Sequence, residues 1–461
     1  MDRAKAIMKE ADFPYLSCNW VDLRTTLRVL PSVKVFVRGG RRIAFVGVTT
    51  PETFTKSTPA YFMDKAQRKY IYDIQGGEDG KKLYDAVQKA IDKAKLLADV
   101  VIGLGHLGVD PSSSPWTSEE VIAHTSGFDA FIDGHSHTVM ENKQVQDASG
   151  KAVTLTQTGS YFANVGEMTI AADGTITTKL IPTHEGMDAG IAAMQTSWVS
   201  TVDDMLGEKI AVGDSDFYVS DPATGKRRIR SAETNLGDFV ADGIYAYFNE
   251  VEKLHCDLAI MNGGGIRADV PAGDWTFKTC KQISPFGNVA CLMSVTGQQI
   301  QDALEFGARF AGAEGKENGG FLQVAGARYT IHPMIPNTVQ TNDKNVWTGS
   351  AATPRVSNVE IYDKTTGTYQ PLDPNATYAL AGMNYTLRNL GDGFAMFDGA
   401  ELIKDYVSED YLVMSTYAMI FDGADAAGLP HLSSANSPLA AYPGYLLDYE
   451  QPYGAGRITI L

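Results

Sequence analysis

The stretch from residue 100 to residue 140 constrains this chain more than any other. It uses one short grammar twice: an apolar run, a glycine, then histidine. VVIGL at 100–104 reads as a buried strand and is followed by Gly105 and His106. The run at 128–132 reads as a second strand and leads into Asp133-Gly134-His135-Ser136-His137. Buried parallel strands deliver polar residues at their carboxyl ends, where ligands bind in open α/β sheets. Glycine lets the backbone turn sharply there, so imidazoles from two strands can converge above the sheet edge. Neutral imidazole is the commonest ligand for zinc-like metals. A histidine after a strand also serves as a plain polar cap, and on the residues alone both readings of His106, His135 and His137 stand.

A chain of 461 residues is too long for one ordinary domain, so two domains with sizeable cores are the expectation. Strand–helix–strand alternation through the first 182 residues, closing in a β meander with a turn at Asp173-Gly174, predicts an α/β domain. Within it, DRAKAIMKEA (2–11) reads as a helix, YLSCN (15–19) as a short strand and RRIAFVGVTT (41–50) as a clear strand. Residues 81–100 read as an amphipathic helix on Leu83, Val87, Ile91 and Leu96, and a capped helix opens at Thr117. A helix over 188–206 reads as the connection to a second domain, whose helices are expected at 235–251, 299–308 and 410–420. The net charge of −16 argues against general nucleic-acid or anionic-membrane binding, so an anionic substrate needs a locally positive site. No run of eighteen apolar residues offers a membrane span, and MDRAKAIMKEADF lacks the apolar core of a signal peptide. The four cysteines have no CxxC spacing, which excludes a zinc knuckle and a thioredoxin motif.

Four pieces of the second half carry unusual residues. KRRIR (226–230) is a basic run in an acidic protein, with Arg230 just before Ser231, a plausible N-cap for the following helix. An arginine beside a helix N-terminus makes an anion site. DLAIMNGGGIR is an apolar strand ending in Asn262, three glycines and Arg267. Successive glycines allow a ligand to approach the backbone closely, and a guanidinium beside them can bind carboxylate or phosphate bidentately. It is neither a Walker loop nor GxGxxG, and a flexible hairpin is the competing reading. Phe286 in SPFGN is either core or, if exposed beside arginines, a platform for a nucleobase. Asp392 in Gly-Asp-Gly either makes a turn or accepts hydrogen bonds from ribose hydroxyls.

Taken together, these motifs resemble the 5'-nucleotidase / 2',3'-cyclic phosphodiesterase family over essentially the whole chain. GHLGVD and IDGHSHT are similar to the later half of its calcineurin-like metallophosphoesterase domain. Arg230 with TNLG, NGGGIR, PFG, FLQVAG, GDGF and the final GRIT follow the order of its C-terminal domain. The resemblance implies an α/β (α+β) fold: an incomplete metallophosphoesterase β-sandwich flanked by helices (1–186), a linker helix (187–207) and an α/β nucleotide-binding domain (208–461). It implies hydrolysis of nucleotides to nucleosides and phosphate, with two divalent metals such as zinc or manganese. His106 and His135 would hold one metal and His137 the other. Arg230 and Arg267 would hold phosphate and substrate, Asn262 with Gly264 the base or sugar, and Asp392 the ribose. Phe286 would be one wall of a base clamp, whose second wall falls here on Thr386, with Tyr385 adjacent. The family is mostly extracytoplasmic.

The family's bridging carboxylate, early Asp-x-His and Gly-Asn-His-Glu segment have no counterpart in this sequence, which has no Asn-His pair. The chain is therefore expected to start past the first part of the catalytic domain, to retain no assignable acid or stabilising histidine, and to hold at most one metal. Three readings remain open: an incomplete nucleotidase-type hydrolase, a catalytically weak or inactive nucleotide-binding protein, and a single-metal hydrolase on three histidines. A nucleotide is the expected partner, with neither nucleic acid nor membrane.

Overall fold

The strand that begins at Val100 runs beyond its apolar core to His106 itself. It pairs in parallel with Arg41–Thr49 on one side, bringing Thr49 opposite His106, and with Ala130–Asp133 on the other. Both histidine motifs thus leave adjacent strands at the same sheet edge. The computed structural model describes residues 2–64, 69–182, 186–313 and 316–461. The chain divides into one unit of Met1–Asp188 with Asn342–Val346, and another of Ala189–Thr341 with Trp347–Leu461.

In the first unit, six strands lie in the order Val139–Gln146, Ala152–Thr158, Ala130–Asp133, Val100–His106, Arg41–Thr49, Val33–Arg38. The inner four are mutually parallel, and each edge strand is antiparallel to its neighbour. Both edge strands escape the sequence reading. Val33–Arg38 has only half-buried or exposed side chains, so its apolar signal is weak, and it is joined to the next strand by Gly39-Gly40 at positive φ. Helix Asp2–Glu10 lies where the sequence puts it. Helix Lys81–Lys95 buries Leu83, Val87 and Ile91 as expected, but ends five residues early. Leu96 lies off that stripe and is 84% exposed, so it does not extend the buried face. Helix Ser118–Ala123 opens with a capping box in which Thr117 and Glu120 each satisfy the other's backbone N–H. The strand expected over 15–19 is displaced to Trp20–Asp22. Asn19 instead fastens the chain by its side chain, whose amide donates to the Thr49 and Gln75 carbonyls. The hairpin Asn164–Ile170 and Ile176–Pro182 closes the unit, bonded through Thr178 and Leu180 to Glu141.

The second unit opens with helix Ala189–Leu206, none of whose residues is buried. A five-stranded sheet follows in the order Leu322–Ala325, Leu258–Asn262, Thr377–Met383, Ala290–Thr296, Glu401–Lys404. Beside it stand a four-stranded sheet ending in Ile458–Ile460 and a three-stranded sheet containing Lys209–Gly213. Helix Asn235–Ala246 is buried along its whole length. Its N-cap is Thr234, which accepts from Gly237 N–H, and not Ser231; Ser231 lies in the preceding turn and donates to the Arg228 carbonyl. Thr234 has the extended backbone an N-cap needs and stands at the last residue before the helix. The four cysteines are free and buried.

The sequence motifs that bracket this unit meet in its core. Arg457 of the terminal GRIT is fully buried and donates to Asp242 at 2.7 Å, to the Val324 carbonyl and to the Leu446 carbonyl. Asp242 also accepts from the hydroxyls of Tyr445 and Tyr449. Glu233 accepts from the backbone N–H groups of Gly456, Arg457 and Ile458. Removing one member of a buried ion pair leaves its partner charged and unpaired, at a cost of about 3–5 kcal/mol. Asp242→Ala should therefore lower the urea midpoint of the second unit's unfolding by that free energy with an unchanged slope. A loss below about 1 kcal/mol would show that the pair contributes little.

Candidate functional site

At the sheet edge of the first unit, the His106 and His135 rings lie 4.9 Å apart, tilted by 59°. His135 has φ 84°, in the left-handed region, and a Cβ at Gly134 would stand 3.2 Å from His106 Nδ1. His135 Nε2 is 2.9 Å from the Glu52 carboxylate, which also accepts from the Ser113 hydroxyl at 2.7 Å. Burial would raise the Glu52 carboxyl, but the bond from His135, the charge of Lys56 and the bond from Ser113 outweigh it and hold it below the usual range. Partial burial, reinforced by the neighbouring imidazoles of His135 and His137, pushes His106 down and favours its neutral form. Asp133 receives the Leu107 and Gly108 N–H groups, and Gln157 receives Thr138 N–H and the Ser136 hydroxyl. These bonds fix the loops that carry the histidines. His137, also at positive φ, stands 6.4 Å from the Tyr161 ring.

Among the described residues, no three His, Cys, Asp or Glu side chains converge closely enough to hold a metal ion. His106 and His135 are brought together, and Glu52, which the sequence does not mark, bonds to His135. Its signal was faint, an acidic residue three positions past a strand end with no histidine near it in sequence.

The second unit gathers its marked residues more tightly. Asn262 is the last residue of its strand, and its side-chain amide donates to Asp392 at 3.2 Å and to the Gly319 carbonyl at 3.4 Å. The glycines that follow form a fixed turn, not a flexible hairpin: Gly263 N–H donates to the Phe321 carbonyl and Gly264 N–H to the Gly319 carbonyl. A side chain at Gly263 would overlap the Ile229 carbonyl, and a Cβ at Gly264 would stand 3.0 Å from the Gly319 oxygen. Glycine is needed here for close packing of backbone on backbone.

Arg230 is 19% exposed, and its Nε is buried with no hydrogen-bond acceptor among the described residues. Burial, aided by Arg227 and Arg267 and opposed by Glu317 and Asp392, pushes its pKa down to about 10, so it remains a cation at neutral pH. The Arg267 guanidinium lies 5.7 Å from the centroid of Phe286, which is 58% exposed. Phe286 is thus a surface ring beside an arginine and not part of the core. Asp392 is buried at positive φ, and its N–H donates to the Tyr385 hydroxyl. Tyr385 packs its ring onto Gly391, where a Cβ would come within 2.5 Å, and Thr386 is buried. The exposed face of Phe286 lies beside the Arg267 guanidinium. The segment 316–320 was not singled out by sequence, yet Glu317, Asn318 and Gly319 line this cluster through side chain or backbone. The arrangement is suited to an anion held by guanidinium groups, with hydrogen-bonding groups and a flat apolar ring beside it.

Residues 211–399 match the family described as the 5'-nucleotidase C-terminal domain. The chain is 29% identical over 388 residues to the trifunctional nucleotide phosphoesterase protein YfkN of Bacillus subtilis, covering 82% of this chain and 23% of that protein. It is 25% identical to the apyrase of Tabanus yao, over 83% of this chain and 67% of that one. In fold it is similar to a 5'-nucleotidase precursor from Thermus thermophilus, with a TM-score of 0.70 and 24% identity over 99% of this chain and 80% of that one.

The contacts of the triple glycine give a direct check on the site's rigidity. Gly263→Ala should cost about 1–3 kcal/mol, the range for overpacking, because the added methyl meets backbone that cannot swing aside. The thermal midpoint reports it; a change of less than one degree would mean that this turn gives way freely.

Proposed function

We propose, from the match of residues 211–399 to the 5'-nucleotidase C-terminal domain, that the second unit binds a nucleoside monophosphate, as the substrate-holding part of a protein that hydrolyses nucleotides to nucleoside and phosphate. The observation that carries the reading is the meeting of Arg230, Asn262, Arg267 and Asp392 beside the exposed ring of Phe286. Arg230 and Arg267 are assigned the phosphoryl group, since guanidinium forks match its oxygens. Asp392, a carboxylate held by Asn262, is assigned the ribose hydroxyls, and Asn262 and Gly264 are assigned to the same substrate site. Phe286 is assigned one face of the base, and the position of the second wall falls on Thr386, with Tyr385 adjacent. The proposed domain limits are 1–186 for the phosphoesterase part, 187–207 for a linker helix and 208–461 for the nucleotide-binding part.

A second reading, hydrolysis by the first unit with divalent metal, is favoured by the approach of His106 and His135. His106, His135 and His137 are the proposed ligands, for zinc, manganese or a similar ion. As they stand they do not compose a two-metal centre, so no catalytic step is assigned to them. These 461 residues should accordingly hold at most one ion and release phosphate from AMP poorly with added zinc or manganese.

Calorimetry without metal separates binding from catalysis. AMP should bind, and Arg267→Ala should weaken AMP at least tenfold more than adenosine, because only AMP loses a charge-assisted bond. Equal weakening of both ligands would remove Arg267 from the phosphate subsite.

A further inference from the structure

Glu317 stands among the arginines to which the proposed function gives the phosphoryl group. Its Oε2 lies 2.5 Å from Arg227 and 4.0 Å from Arg230. Arg227 also donates to it through Nε. Its backbone neighbour Asn318 donates to the Arg230 carbonyl, so the loop that carries Glu317 is tied to the arginine segment itself. Arg230 keeps a buried Nε with no acceptor among the described residues, donor capacity that the Glu317 carboxylate does not use.

A carboxylate offers guanidinium groups what a phosphoryl group offers: paired oxygens sharing negative charge. Glu317 lies between Arg227 and Arg230, and the neighbours with the largest influence on Arg230 are the cations Arg227 and Arg267 and the anions Glu317 and Asp392. Among these groups, three positive ones stand against two negative ones. Such a surplus suits one phosphoryl group. Each further phosphoryl group adds charge that must lie near Glu317 in a partly buried setting, where like-charge repulsion is screened less than in water.

We propose that Glu317 is a specificity-determining residue: its carboxylate stands in for an anion between Arg227 and Arg230, and it disfavours ligands that carry more than one phosphoryl group. This inference rests on the nucleotide reading above. Repulsive elements of this kind set specificity by weakening the wrong ligand more than the right one.

The test is calorimetric titration of the full chain without metal, using AMP, ADP, adenosine and inorganic pyrophosphate. The wild type is compared with Glu317→Gln and Glu317→Ala. Both variants should bind AMP about 3- to 10-fold tighter, and ADP and pyrophosphate should gain more than AMP does, since they carry more charge. Adenosine should be unchanged within about twofold, having no charge for Glu317 to oppose. Equal gains for AMP and ADP, no gain for either, or weaker AMP binding would overturn the proposal; the last would mean that Glu317 merely orients Arg227 and Arg230. If AMP and adenosine fail to bind while pyrophosphate tightens in the variants, the nucleotide reading falls and selection of anions by Glu317 stands. If AMP binds the wild type and ignores both substitutions, the nucleotide reading survives and Glu317 has no part in it.

Discussion

Three guanidinium groups held close together in a chain of net charge −16 are the constraint on which the second unit depends. Like charges in a partly buried place repel, and burial adds a desolvation cost to each. Arg230 bears both, which is why its acidity rises. Folding offsets this with Glu317 beside it and with Asp392 held in place by Asn262. The triple glycine belongs to the same solution, because it lets the Leu258–Asn262 strand turn against the carbonyls of Ile229 and Gly319. A site arranged to hold excess positive charge is one that a bound anion relaxes.

A different arginine stabilises the fold. Arg457 is wholly buried, yet its partners Asp242 and Asp238 lie on the helix Asn235–Ala246 and its carbonyl acceptors on two further segments. Its position in GRIT beside TNLG and FLQVAG in the resemblance is therefore explained by packing. Gln323 of FLQVAG donates to the carbonyls of Ile229 and Ala232, and its side chain fills the space over Gly237. Landmark motifs in this chain thus divide into those that build the unit and those that face the arginine cluster.

The strands and helices with strong periodicity were legible: Val100–His106, Arg41–Thr49, the amphipathic face of Lys81–Lys95 and the cap at Thr117. Val33–Arg38 and Val139–Gln146 were not, because edge strands with one half-wet face carry little apolar signal. The N-cap was placed three residues early at Ser231, since serine and threonine have similar local preferences and only the backbone selects Thr234. In the arginine cluster, Arg230, Asn262, Arg267 and Asp392 could be named from sequence, but Glu317 could not. An acidic residue in a glycine-containing loop has no distinguishing pattern until the fold brings it against Arg227. Glu52 was missed for the same reason: 83 residues separate it from His135.

On this reading the arginine cluster, and no other surface of the second unit, receives the nucleotide. Amide hydrogen exchange with and without saturating AMP tests it most directly. The account gives slower exchange in segments 227–231, 263–267, 317–320 and 391–394. It gives no change in the strands Ala327–Ile331 and Val356–Asp363, which line a separate open groove of about 420 Å³. Protection confined to that groove, or none within the four segments, would contradict it.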